Sequence, residues 1–113
     1  MMLNHVALSV SDRARSASFY ADHFGMTERV HDDEHLLILA GEGALLALSD
    51  ADEPPTPLPR TTHFGFQLED AAAVQAARER FAAAGLEETE SGDGPARVQV
   101  LDPDGYRVEV YAY

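Results

Sequence analysis

The sequence predicts an α+β protein in which a βαβββ module occurs twice, with the sheets curled into a cup. The half-open cup that each module leaves favours a homodimer as a separate prediction. Three observations predict this class. Short runs alternate apolar and polar residues, as half-buried strands do. The first run of each half leads into a helical stripe. The pattern then restarts: His5 and Asp12 are matched by His63 and Asp70, 58 residues later.

Composition limits the classes of function. The 113 residues fit one domain, 1–113. A net charge of −12 argues against a nucleic-acid partner and against an anionic membrane surface. The absence of cysteine excludes disulfides and thiolate ligands. No signal peptide or membrane span is visible, so we expect a cytoplasmic protein.

The first module is expected over about 1–49. Residues 3–10 alternate, with Val6, Leu8 and Val10 on one face and His5 on the other. Asp12 is a good helix N-cap, and Gly25 is a typical residue to end the helix. The helical stripe consists of Ala17, Tyr20, Ala21 and Phe24. Strands are then expected at about 26–31, 36–40 and 44–49, with turns at 32–33 and 41–43.

A Pro-rich linker, 50–61, separates this module from a second one at about 62–113. A strand at about 62–68 is followed by the capping residue Asp70 and by a helix that ends at Gly85. The stripe of this helix is Val74, Ala77, Phe81 and Ala84. Further strands are expected at about 86–90, 97–101 and 106–112, with a turn at 102–105.

The polar faces of these strands carry the candidate chemistry. Alternation places His63 on such a face, as it does Glu109 in the last strand and His5 in the first. In a curled sheet all three side chains point into the cup. Two imidazoles and one carboxylate form a facial set that binds a divalent metal and leaves coordination positions open.

Other motifs are better explained as structural. The segment 31–35 is expected to be a solvated acidic turn, and His23 complements the dipole at its helix end. The glycines at 41 and 43 precede a strand and not a helix, so they do not form a phosphate-binding loop. No serine lies in a nucleophile-elbow context.

With these strands, helices and candidate ligands, the chain resembles the vicinal oxygen chelate superfamily. This superfamily includes glyoxalase I, fosfomycin-resistance proteins, extradiol dioxygenases and bleomycin-resistance proteins. The resemblance covers essentially the whole chain and lies in LNHVALSVSD (3–12), SFYADHFGM (18–26), THFGF (62–66), AAGL (83–86) and LDPDGYRVEVY (101–111). It implies paired βαβββ modules around a metal, usually in a homodimer. It also implies ligands on the first strand of each module and on the final strand, which are His5, His63 and Glu109 here.

The resemblance implies a metal-dependent enzyme, of the lyase, transferase or dioxygenase type, that chelates a small oxygenated substrate. The metal is Mn, Fe, Ni or Zn. By analogy with the fosfomycin-resistance transferases, one subunit contributes His5 and the other contributes His63 and Glu109. The expected substrate-binding residues are Arg97, Gln67 and Gln99, and the candidate catalytic residues are Tyr111 and Arg107.

The subfamilies differ in what they require. The segment 87–90 is acidic and contains no Lys. Binding of a phosphonate beside it is costly unless Arg97 or Arg107 neutralises the phosphonate charge. The carboxylate base that glyoxalase I carries on its fourth strand is missing, because Ala47 is expected there. An extra acid–base His, as in the extradiol dioxygenases, is not evident. The alternative to an enzyme is a binding or resistance protein, bleomycin- or fosfomycin-resistance-like, that sequesters a ligand or modifies it in the dimer cup.

Overall fold

The computed structural model describes residues 1–51, 57–90 and 96–113. The chain divides into two compact units, Met1–Thr56 and Pro57–Tyr113. Within these described ranges, each unit contains one helix and one mixed sheet, as the α+β class predicts. The predicted linker 50–61 lies partly outside the described residues.

The first unit has four strands and one helix. They are β1 (His5–Val10), α1 (Arg13–Phe24), β2 (Glu28–Asp32), β3 (Leu36–Gly41) and β4 (Ala44–Asp50). The strand order is β1-β4-β3-β2, with β1 parallel to β4 and the other pairs antiparallel. Leu8 and Val10 are buried and His5 is exposed, so the predicted alternation is confirmed.

Helix α1 begins and ends where its capping residues predict. The Asp12 side chain accepts a hydrogen bond from the Arg15 backbone N–H, which satisfies a free donor of the first turn. Gly25 follows the helix with φ +69°, a conformation in which glycine has no steric penalty. Ala17 and Tyr20 are buried as predicted. The buried stripe is wider than predicted, because Phe19 also turns inward and packs edge-on against Tyr20, with ring centroids 5.2 Å apart.

The turn between β2 and β3 is organised by Asp33. Its Oδ1 accepts hydrogen bonds from the backbone N–H groups of His35 (2.8 Å) and Leu36 (2.9 Å), and its Oδ2 lies 2.8 Å from His31 Nε2. The His35 backbone N–H, then the His31 side chain and the Leu36 N–H, lower the pKa of Asp33 to about 2. The polar groups of this exposed segment therefore build a turn, as the sequence predicts.

The second unit has three strands and one helix. They are β5 (Phe64–Gln67), α2 (Ala71–Ala83), β6 (Arg97–Leu101) and β7 (Arg107–Tyr111). The strand order is β5-β7-β6, with β5 parallel and β6 antiparallel to β7. Helix α2 buries its predicted residues Val74, Ala77 and Phe81. Ala84 is instead the exposed C-cap, because the helix ends before its side chain reaches the core.

The strand expected at about 86–90 does not form. This segment carries three glutamates in five residues, a composition unfavourable to strands. Its backbone is held to β6 where the Thr89 N–H donates to the Gln99 carbonyl at 2.9 Å. The second module is therefore βαβββ-like, with an irregular segment in place of its second strand.

The β6–β7 turn forms as predicted. Asp102 is buried, and its Oδ1 accepts hydrogen bonds from the backbone N–H groups of Asp104 and Tyr106, both at 2.9 Å. Gly105 completes the turn at φ +90°. This turn fixes the register in which β6 and β7 pair. Neither described helix is long and apolar enough to cross a membrane.

Candidate metal centre

Glu109 lies at the centre of the polar face of the second sheet. It is on the middle strand, β7, with Gly65 opposite it on β5 and Gln99 opposite it on β6. Only 8% of the residue is exposed. A carboxylate this buried needs cations or hydrogen-bond donors around it.

Gly65 provides the space in which the Glu109 side chain lies. A Cβ atom at position 65 would lie 2.9 Å from Glu109 Cγ and 3.2 Å from Tyr111 Cδ1. The first distance is shorter than carbon atoms tolerate without displacement. Glycine is therefore required here by close approach of two side chains from β7.

His63 immediately precedes β5 and faces one oxygen of this carboxylate. Its Nδ1 lies 2.8 Å from the Thr61 carbonyl oxygen, and its Nε2 lies 3.5 Å from Glu109 Oε1. A carbonyl oxygen only accepts, so Nδ1 carries the proton and donates it. In the neutral ring Nε2 then has a lone pair, and it faces an anionic oxygen.

Two acceptors that face each other favour a cation between them. Ligand atoms about 2.1 Å from one ion and about 110° apart are about 3.4 Å from each other. The observed Nε2–Oε1 separation of 3.5 Å fits that requirement. The hydrogen bond from Nδ1 to a backbone carbonyl is also the usual outer contact of a metal-binding histidine.

The described part of the chain holds no group of three or more His, Asp or Glu side chains able to bind one ion. Of the predicted set, the structure brings His63 and Glu109 together in the second unit. His5, the third predicted ligand, is the first residue of β1 in the first unit and is exposed.

The other oxygen of Glu109 faces hydrogen-bond donors. Oε2 lies 3.5 Å from Arg97 Nη1 and 3.5 Å from Gln99 Nε2. Arg97 Nη2 also binds Glu90 Oε2 at 2.8 Å, and Glu90 Oε1 lies 3.5 Å from Arg60 Nη2. One guanidinium therefore contacts two carboxylates, and charge on this face is closely balanced.

The remaining predicted residues lie on the same face. Gln67 pairs with Tyr111, and Arg107 pairs with Leu101 in the sheet register. The Tyr111 ring packs edge-on against Tyr113, with centroids 5.5 Å apart. No role was predicted for Thr89 or Glu90, because 86–90 was expected to form a separate strand, and the pattern within that segment indicates no contact with Gln99 or Arg97.

The first unit lacks an equivalent of Glu109. Alignment of His5 with His63 places Ala7 at the position of Gly65, and the β1–β4 register pairs Ala7 with Ala47. Ala47 therefore occupies the position that Glu109 has in the second unit, and it is buried. Strand β4 thus supplies no carboxylate at this position.

Comparison with known proteins agrees with this architecture. A search of curated protein sequences finds no match. A lactoylglutathione lyase from Agrobacterium tumefaciens is 26% identical, with a TM-score of 0.79 over 98% of this chain and 92% of that one. A possible glyoxalase from Bacillus cereus is 24% identical, with a TM-score of 0.83 over 98% of both chains.

A similar fold occurs in the genomically encoded fosfomycin resistance protein FosX from Listeria monocytogenes. It is 20% identical, with a TM-score of 0.85 over 100% of this chain and 93% of that one. A family model described as the Glyoxalase/Bleomycin resistance protein/Dioxygenase superfamily matches residues 2–110. The match spans nearly the whole of both units, and the chain belongs to this superfamily.

Proposed function

We propose that this protein is a divalent-metal-dependent enzyme that binds a small oxygenated substrate through adjacent oxygen atoms on the metal. The observation that supports it most is the pair of facing acceptors, His63 Nε2 and Glu109 Oε1, 3.5 Å apart beside a glycine. A buried carboxylate in that position is stabilised when a cation lies between the two groups.

His5 is the third ligand in this proposal, contributed by a second copy of the chain. It is exposed on β1 and is the repeat equivalent of His63. The family resemblance supports the same arrangement, with ligands on the first strand of each module in a homodimer. Two such copies form two equivalent sites related by the dimer axis.

Three protein ligands leave at least one coordination position open on each candidate ion. The bound metal would polarise the substrate oxygens as a Lewis acid. Mn, Fe, Ni and Zn are the candidate ions, and a structure of FosX holds Mn(II) with 1S,2S-dihydroxypropylphosphonic acid. Arg97, Gln67 and Gln99 are the proposed substrate contacts, and Tyr111 and Arg107 are the proposed catalytic residues.

The absence of a carboxylate at position 47 of β4 limits the reaction. Ala47 cannot accept a proton, so an isomerisation that relies on a carboxylate base at that position has none. The proposal therefore favours a group transfer, an addition to the substrate or dioxygen chemistry. For each of these a metal held by His63 and Glu109 would supply Lewis-acid activation of the substrate.

A second candidate function is sequestration of a small anionic ligand without chemistry, as in resistance proteins. Two arginines on the same face of the sheet as Glu109 favour it. Arg97 contacts the Glu109 carboxylate, and Arg107 precedes Glu109 by two residues on β7. Such a protein binds its ligand equally well with and without metal.

Metal analysis followed by ligand binding separates these candidates. We expect one Mn²⁺ per chain by equilibrium dialysis. We also expect a panel of fosfomycin, catechol and lactoylglutathione to yield a ligand whose affinity is lost when the metal is chelated. Metal-free purified protein that fails to take up Mn²⁺, Fe²⁺, Ni²⁺ or Zn²⁺ would contradict the proposal. Ligand affinity unchanged by chelation would instead favour sequestration.

The close approach of Gly65 to the Glu109 side chain gives a separate prediction. In Gly65→Ala the added methyl group collides with Glu109 Cγ and displaces the carboxylate from His63. We expect Mn²⁺ affinity to fall by about 10-fold or more, because ligand orientation controls metal affinity. The matched control is Gln67→Ala, on the same face of β5, which should bind Mn²⁺ like the wild type. Equal Mn²⁺ dissociation constants for Gly65→Ala and the wild type would show that metal binding does not need the space that Gly65 leaves for Glu109.

A further inference from the structure

The two oxygens of Glu109 lie in different surroundings. Oε1 faces His63, whereas Oε2 faces Gln99 Nε2 and Arg97 Nη1, each at 3.5 Å. Gln99 is only 4% exposed, so its amide has little access to water. A buried amide that faces a buried carboxylate strongly restricts how that carboxylate is oriented.

The orientation of the Gln99 amide follows from its neighbours. A carboxylate only accepts hydrogen bonds, so the amide group that faces Glu109 is the NH₂. The amide oxygen then faces Thr89, and the Thr89 hydroxyl donates to Gln99 Oε1 at 2.8 Å. The Thr89 backbone N–H also donates to the Gln99 carbonyl at 2.9 Å, which fixes Thr89 beside β6.

From this chain of contacts we infer that Gln99, oriented by Thr89, is a positioning residue that holds Glu109 Oε2 and turns Oε1 toward His63. The inference rests on the proposed metal site. It also assigns a role to the irregular segment after α2. This segment places the Thr89 hydroxyl beside the Gln99 amide oxygen. Neither residue contacts the ion. Gln99, proposed above as a substrate contact, acts in this inference through Glu109, because both groups of its buried amide already have partners.

The chain makes a graded prediction for Mn²⁺ affinity. Gln99→Met keeps the size of the side chain but removes the amide, and we expect a 10- to 100-fold loss, as for other outer-shell partners of metal ligands. Thr89→Val removes only the hydroxyl, and we expect a loss of about 3- to 10-fold, the usual range for one neutral hydrogen bond. Thr89→Ser keeps a hydroxyl at this position and should bind Mn²⁺ with wild-type affinity.

The double variant distinguishes positioning from general destabilisation. Because Thr89 acts through Gln99, adding Thr89→Val to Gln99→Met should cause no further loss of Mn²⁺ affinity. A merely structural role would instead add the two losses and would not be rescued by serine. Gln75→Met is the matched control, since Gln75 is an exposed residue of α2 with no place in the site.

Equilibrium dialysis of Mn²⁺ against these full-length variants tests the inference. Should Gln99→Met not fold, Thr89→Val and Thr89→Ser carry the same test at a site at the edge of the sheet. Unchanged affinity in Gln99→Met, or in Thr89→Val, overturns this inference and leaves the proposed function standing. Failure of the wild type to bind Mn²⁺ overturns the proposed function, and this inference with it.

Discussion

Replacing Glu109 with Gln is expected to lower Mn²⁺ affinity by at least about 100-fold, since substitution of a metal's outer contacts alone costs 10- to 100-fold. Glu109→Gln keeps the size of the side chain and its place between β5 and β6, but it removes the anionic oxygen that faces His63 Nε2. A neutral amide oxygen is a much weaker ligand for a divalent ion. Equilibrium dialysis at fixed pH measures the dissociation constant directly.

Glu79→Gln is the matched control for this variant. Glu79 is an exposed residue of α2, so the same loss of charge there should leave Mn²⁺ affinity unchanged. Thermal unfolding of both metal-free variants checks that the fold survives. If Glu109→Gln and Glu79→Gln bind Mn²⁺ equally, Glu109 is not a ligand. Its contact with His63 is then an ion pair of the folded chain.

Much of the fold could be predicted because its signals are local. Alternation in residues 3–10 reflects a strand that buries one face, and the caps Asp12 and Asp70 satisfy helix N–H groups wherever the helix packs. The segment 86–90 was assigned wrongly for the same reason. Its place between a helix and a strand suggested a further strand, but its three glutamates leave no apolar face to bury.

The candidate site was less accessible to sequence reasoning. Strand alternation identified the face of Gln99 and Glu109, which pair between β6 and β7, and His63 lies immediately before β5 of the same unit. The register between strands could not be predicted, because it depends on turns and packing between distant segments. Only the register shows that Gly65 lies opposite Glu109, and only the course of the chain after α2 brings Thr89 to Gln99.

The second large effect concerns His5. His5→Ala alone is expected to lose the ion, as Glu109→Gln does, because each removes one ligand of every site. A mixed dimer of the two variants should regain binding. In that dimer the copy with His5→Ala keeps His63 and Glu109, and its partner provides the intact His5, so one of its two sites is complete.

The measurement that tests the account most directly is the Mn²⁺ content of this mixed dimer. The two variants are co-expressed with different affinity tags, isolated by successive use of both tags and dialysed against Mn²⁺. We expect about one Mn²⁺ per mixed dimer, about two per wild-type dimer and none in either variant alone. His5→Ala that binds Mn²⁺ like the wild type, or a mixed dimer that binds none, would contradict a site built from His5 of one copy and His63 with Glu109 of the other.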